Sequence, residues 1–177
     1  MKFFSIALLL VTFQVADVPR TPFRDSGACP FECCHYGDWV AQSSVVARKT
    51  EDSKSPQVFL INKGDRVKAI TGVVITKKPG TVRNIQDTKL GEFTVPKGTL
   101  IYTLHNGGEG STLFWFRGRA RWYELYADSI HAGTPEYPWE VLSLAETEWW
   151  VSVRTSTGRV GWILNPTNFK GIDSCGV

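Results

Sequence analysis

No stretch of this sequence repeats apolar residues at i, i+3 and i+4, so nothing in it reads as an amphipathic helix. Charge of one sign is also missing. With Lys2 set aside, the 20 basic residues become 19 against 17 acidic ones, which excludes a dedicated nucleic-acid binder with a concentrated basic face. The densest basic spot, Arg117, Arg119 and Arg121, lies between two aromatic strand-like runs and reads as a hairpin tip with solvated arginines. Nor is there an apolar run long enough to cross a bilayer as a helix. The longest, residues 3–13 behind Lys2, has the length of a secretory h-region and is followed by the small residue Ala16. Residues 1–16 are therefore expected to be a cleaved signal peptide, leaving a product outside the cytoplasm, secreted or periplasmic, with no membrane association.

Cysteines are few, and their placement is informative. Cys29, Cys33, Cys34 and Cys175 in an exported chain favour disulfides. A bond between the neighbours Cys33 and Cys34 would be strained, since adjacent Cα atoms lie about 3.8 Å apart, below the usual disulfide span. One of that pair is then expected to join Cys29 and the other Cys175. The second bond would close nearly the whole mature chain, worth on the order of 5 kcal/mol in the loop-entropy description.

From residue 40 onward the apolar residues alternate or run over short lengths between turn signals, so the chain reads as all-β. Residues 17–28 form a tether with two prolines, residues 29–39 a cysteine-rich segment, and residues 167–177 a C-terminal tail. A faint repeat relates Phe59 through Ile70 to Phe93 through Leu104, with Lys63-Gly64 matching Lys97-Gly98. The most regular stretch is WWVSVRTSTGRVGWI, residues 149–163, which predicts one hairpin turning at Gly158. It resembles the closing hairpin of bacterial SH3-like (SH3b) domains, and KGDRVKAI at residues 63–70 resembles an element before their middle strands. The resemblance implies two small SH3-like barrels, the first complete or degenerate, over residues 40–88 and 89–166. The second is expected to own the hairpin and to carry an insertion near residues 125–146.

Candidate chemistry is sparse. A Cys/His pair would need a cysteine at a helix N-terminus, and no helix follows the cysteines; His105 sits at a turn and His131 in the insertion. Ser111 lacks a strand-elbow-helix context. Glu136, Glu140, Glu146 and Glu148 show no spacing that makes them face one cleft. Cys29, Cys33, Cys34 and His35 are zinc-type donors, but three are consecutive and diverge. No catalytic residue, metal or cofactor is assigned. In residues 149–154 strand alternation puts Trp149, Val151 and Val153 on one face, the expected core, and Trp150, Ser152 and Arg154 on the other. Trp150 and Arg154, with Trp115 and Tyr123, are the predicted ligand-binding residues, because aromatics beside a guanidinium build peptide and glycan grooves. These readings, with the SH3b resemblance, point to an exported, non-enzymatic module that binds a peptide, a cell-wall glycopeptide or a partner protein. The alternatives are a metal- or redox-responsive protein using the 29–35 cluster, and a cell-wall enzyme with an unfamiliar site.

Overall fold

The computed structural model describes residues 18–125 and 137–175, and no helix forms among them. The expected signal peptide lies outside the described residues. The chain is all-β and barrel-like. Its strands are β1 (Phe23–Ser26), β2 (Asp38–Ala41), β3 (Val45–Arg48), β4 (Gln57–Ile61), β5 (Arg66–Lys78), β6 (Gly80–Asn84), β7 (Thr88–Leu90) and β8 (Phe93–Val95). There follow β9 (Leu100–Gly108), β10 (Ser111–Phe116), β11 (Arg119–Glu124), β12 (Trp139–Ser143), β13 (Glu146–Thr155), β14 (Val160–Leu164) and β15 (Phe169–Lys170). One sheet runs β15-β2-β5-β13-β14-β3-β4, with β1 on the edge of β5. A second runs β11-β10-β9-β6-β12, and β7 with β8 forms a separate hairpin.

These two groups are the same arrangement made twice. The first strand pairs with the fourth (β2 with β5, β6 with β9), and the second and third form a hairpin (β3–β4, β7–β8). The fourth leads into a meander (β5–β13–β14, β9–β10–β11). A last strand then returns to the first, with Phe169 opposite Ala41 in one unit and Trp139 opposite Asn84 in the other. The Lys-Gly repeat anchors the match. Asp65 N–H donates to Asn62 O at 3.0 Å, and Thr99 N–H to Pro96 O at 3.2 Å. Gly64 and Gly98 sit at φ of 91° and 83°, the left-handed region open to glycine without a Cβ penalty. Their N–H groups bond Ala41 O and Asn84 O at 2.8 and 2.7 Å.

Strand pairing departs from the expected division at one point. The 149–163 hairpin does not join the strands of residues 89–125; β13 pairs along β5 from Glu146↔Lys78 to Thr155↔Val67. The second unit, β6 to β12, is thus inserted whole between β5 and β13 of the first. Only the thirteen-residue β5 is long enough to match the ten residues of β13. Gly161 lets β14 pass close to its neighbours: a Cβ there would fall 2.8 Å from Val58 Cγ2.

Each unit has its own core. The host core gathers Trp39, Phe59, Val67, Trp149, Val151 and Ile163, and the inserted core Val82, Val95, Ile101, Phe114, Leu125 and Trp139. The cysteines pair as Cys29–Cys34 and Cys33–Cys175, with Cα separations of 5.5 and 5.4 Å, one of the two pairings the sequence left open. His35 N–H to Ile172 O (3.1 Å) and Ser174 N–H to Cys33 O (3.0 Å) add backbone ties between the tail and this segment. Such disulfides point to an oxidising, extracytoplasmic setting.

Candidate functional site

The four predicted ligand residues do not converge. Trp150 is 1% exposed, packed with Val73, Ile75, Trp162 and Leu164, and its Nε1–H donates to Glu148 Oε2 at 3.0 Å. This corrects its expected exposure. Alternation separated the faces of β13 properly, since Trp149, Val151 and Val153 are core, but the opposite face is also covered at its Trp150 and Ser152 end. Trp115 is half-buried with its ring against Phe23, centroids 6.3 Å apart. Arg154 is exposed and lines a groove on the host sheet. Tyr123 is exposed and lines a different cavity on the inserted unit.

That cavity, about 540 Å³, is bounded by Trp122, Tyr123, Tyr137 and Trp139, with Lys89 and Glu124 among its polar walls. Its size falls in the range of small-molecule sites. β11 supplies Trp122 and Tyr123, and both are exposed, the former with an edge against the His105 ring at 5.1 Å. β12 supplies Trp139, which is 2% exposed and whose Nε1–H has no hydrogen-bond partner among the described residues. An unmet buried donor costs about 1–3 kcal/mol, so an acceptor placed against this cavity wall would be stabilised by the indole N–H. Ser111 and Thr88 add hydroxyls.

Lys89, Glu124 and Tyr137 were not singled out from sequence. The available signal was weak: aromatic pairs on either side of a segment without periodicity, where binding residues often lie. A second missed arrangement is the pair His105–Asp25, joining inserted and host units with Nε2 2.9 Å from Asp25 Oδ2. Nδ1 faces Asn106 O, also at 2.9 Å, so neither ring nitrogen is left for proton transfer to a substrate. Nearby, Tyr36 donates to Ala28 O and accepts from Trp149 Nε1–H. Burial pushes the Tyr36 phenol above its ordinary value; the Trp149 bond opposes this and the Asp25 carboxylate adds to it.

The acidic candidates are dispersed. Glu146 pairs with Lys78, Glu148 with Lys77 and Glu140 with Arg83. His131 and Glu136 lie outside the described residues. In the cysteine segment, Glu32, Cys33 and Cys175 lie within ligand reach of one another, but both sulfurs are held in a disulfide and offer no thiolate. The arginine hairpin tip does form: Arg117 stacks on Phe116 at 5.1 Å and Arg121 on Phe93 at 4.5 Å. Compared with known proteins, the chain matches no family model, no curated protein and no solved structure.

Proposed function

We propose that this chain is an exported, non-enzymatic SH3b-like binding module that holds a cell-wall glycopeptide in the cavity of its inserted unit. The observation that carries the reading is Trp139: a buried indole whose N–H has no partner among the described residues, on the wall of a cavity lined by three further aromatics. Aromatic faces stack on the apolar faces of sugar rings, and a few placed donors and acceptors fix orientation. Lys89 and Glu124 offer one charge of each sign, suited to the carboxylates and amines of a peptide stem. The engaged nitrogens of His105 and the surface pairing of the glutamates support binding over catalysis. The two disulfides support an extracytoplasmic setting, and N-terminal sequencing of the mature protein is expected to start near Asp17.

The test is titration of purified full-length protein with a soluble disaccharide-peptide from bacterial wall. Trp139→Phe keeps an aromatic ring but removes the N–H donor and the five-membered ring, so affinity is expected to fall about 3- to 10-fold, with the relief of an unmet donor partly offsetting the cost of the cavity left behind. Trp122→Ala is expected to weaken binding about tenfold or more, as loss of an aromatic anchor does. Wild-type affinity in both variants overturns the site. Cleavage of the probe by wild-type protein overturns the non-enzymatic reading.

A further inference from the structure

The groove that holds Arg154 lies on the host unit, away from the aromatic cavity, and its register is unusual. Lys68 of β5 lies directly opposite Arg154 of β13 on one side and Asp38 of β2 on the other. Two residues along β5, Arg66 lies opposite Val40, which in turn lies opposite Lys170 of β15. Residues directly opposite share a sheet face, and so do residues two apart on one strand. Lys170, Arg66, Lys68 and Arg154 therefore project from one face, and all four are exposed. Neighbouring strands are about 4.8 Å apart and residues two apart on a strand about 6.7 Å, so the four cations fall within a short span.

None of them is neutralised by an ion pair among the described residues, although Arg24, Lys77, Lys78 and Arg83 on the same protein all are. Like charges directly opposite destabilise a strand pair. Lys68 against Arg154 is thus an unfavourable choice for the fold alone. Asp38 lies opposite Lys68 but forms no ion pair with it; Asp65, in the adjoining hollow, accepts the Asn62 N–H at 2.7 Å.

The surface under these cations is concave. A hollow of about 400 Å³ lined by Asp38, Arg66, Lys68 and Arg154 adjoins one of about 350 Å³ lined by Leu60, Ile61 and Asp65. The two share Arg66, Val67, Thr155 and Ser156, which makes them one trough. A trough takes a linear chain rather than a flat bilayer. Trp39 is the one aromatic in its lining and is fully buried, so no platform exists on which nucleic-acid bases would stack. Thr155, whose hydroxyl accepts the Arg159 N–H at 3.1 Å and bonds Thr157 Oγ1, and Ser156 set hydroxyl groups beside the cations, matching a ligand that alternates hydroxyls with anions.

We propose that this trough binds a linear acidic polysaccharide, its carboxylates held by Arg66, Lys68 and Arg154 and its hydroxyls by Thr155 and Ser156. The site is independent of the aromatic cavity and of the ligand assigned there. The probe is an oligomer of polygalacturonate, titrated into the full chain with both disulfides intact, with a neutral dextran oligomer of equal length as control. Expected are saturable binding that weakens as salt rises from about 0.05 to 0.5 M, since the cations are exposed and screened, and no binding of dextran. Arg154→Gln and Arg66→Gln are each expected to lose about tenfold in affinity, the loss of a charge-assisted contact. The triple variant R66Q/K68Q/R154Q is expected to show no saturable binding while melting at or above the wild-type temperature. Trp122→Ala is expected to bind the oligomer as wild type does. Undiminished binding by the triple variant overturns the proposal. So does equal or tighter binding of a single-stranded oligothymidylate or of phosphatidylglycerol vesicles, which would reassign the face to nucleic acid or membrane.

Discussion

The two units place an aromatic residue at the same point of the same strand, and those residues differ in what their side chains leave unpaired. In the host unit Phe169 lies opposite Ala41, stacks on Trp39 at 5.7 Å and is 3% exposed. In the inserted unit Trp139 lies opposite Asn84 at matching burial, but it brings an N–H that no described residue receives. The connection before it differs too. Host β14 reaches β15 over the four residues 165–168, whereas β11 and β12 are separated by residues 125–138. The host's own surface chemistry lies elsewhere, in the cations of β5, β13 and β15.

The sharpest way to break this comparison is to hollow one core at a time. Trp149→Ala and Trp150→Ala are each expected to cost about 3–5 kcal/mol in chemical denaturation, since both indoles are buried in the host unit. Phe114→Ala is expected to cost a similar amount while hydrogen exchange stays slow across β13 and β14. Joint loss of protection in both units would show that the two cores are one cooperative body.

A middle-sized effect is expected at the first strands. Asn84 is fully buried and its Nδ2 donates to Val95 O at 2.7 Å and Pro96 O at 3.1 Å, bracing the β7–β8 hairpin. Its host counterpart is Ala41, because β3 there joins the main sheet through Trp162↔Arg48 and needs no brace. Asn84→Ala is expected to cost about 1–3 kcal/mol by leaving buried carbonyls unmet, read as earlier melting of the inserted unit. An unchanged melt would mean the hairpin holds itself.

The smallest effect concerns Tyr36, which has no equivalent in the inserted unit. Its folded value lies above the ordinary 10.0. The folded state therefore keeps the proton longer than the unfolded one, and this contribution is present in full below pH 10 and lost as pH rises beyond it. Tyr36→Phe is expected to melt earlier than wild type at neutral pH and to lose less stability between about pH 9 and 11. Parallel alkaline slopes for the two proteins would assign the decline to other groups.

Local features of this fold were legible in the sequence. The all-β character, the Gly158 turn and the Lys-Gly repeat depend on a few adjacent residues. Cysteine pairing was narrowed by the reach of neighbouring Cα atoms. The partner of the Trp149-Trp150 strand was not legible, because alternation in β13 is the same whichever strand lies beside it. Trp150 illustrates the same limit: period two tells which residues share a face, not whether a face is covered. The exposure of Arg154 was legible because charge on an outward position survives that ambiguity. Trp139 was visible as an aromatic among many, and only its unmet donor distinguishes it.

Insertion of one unit inside the other also sets an order of events. Lys78 and Glu146 face each other across a sequence separation of 68, so the host sheet stays open during synthesis until β13 has been made. The inserted unit is contiguous and is complete by Ser143. Once it closes, Thr81 and Ser143 stand on paired strands, and the two ends that must meet as β5 and β13 are already neighbours. Closing a flexible loop of that length would otherwise cost roughly 3–4 kcal/mol in chain entropy. The guest is therefore expected to fold first and to act as the template on which its host assembles, with the bond from Cys33 to Cys175 sealing the last residues described.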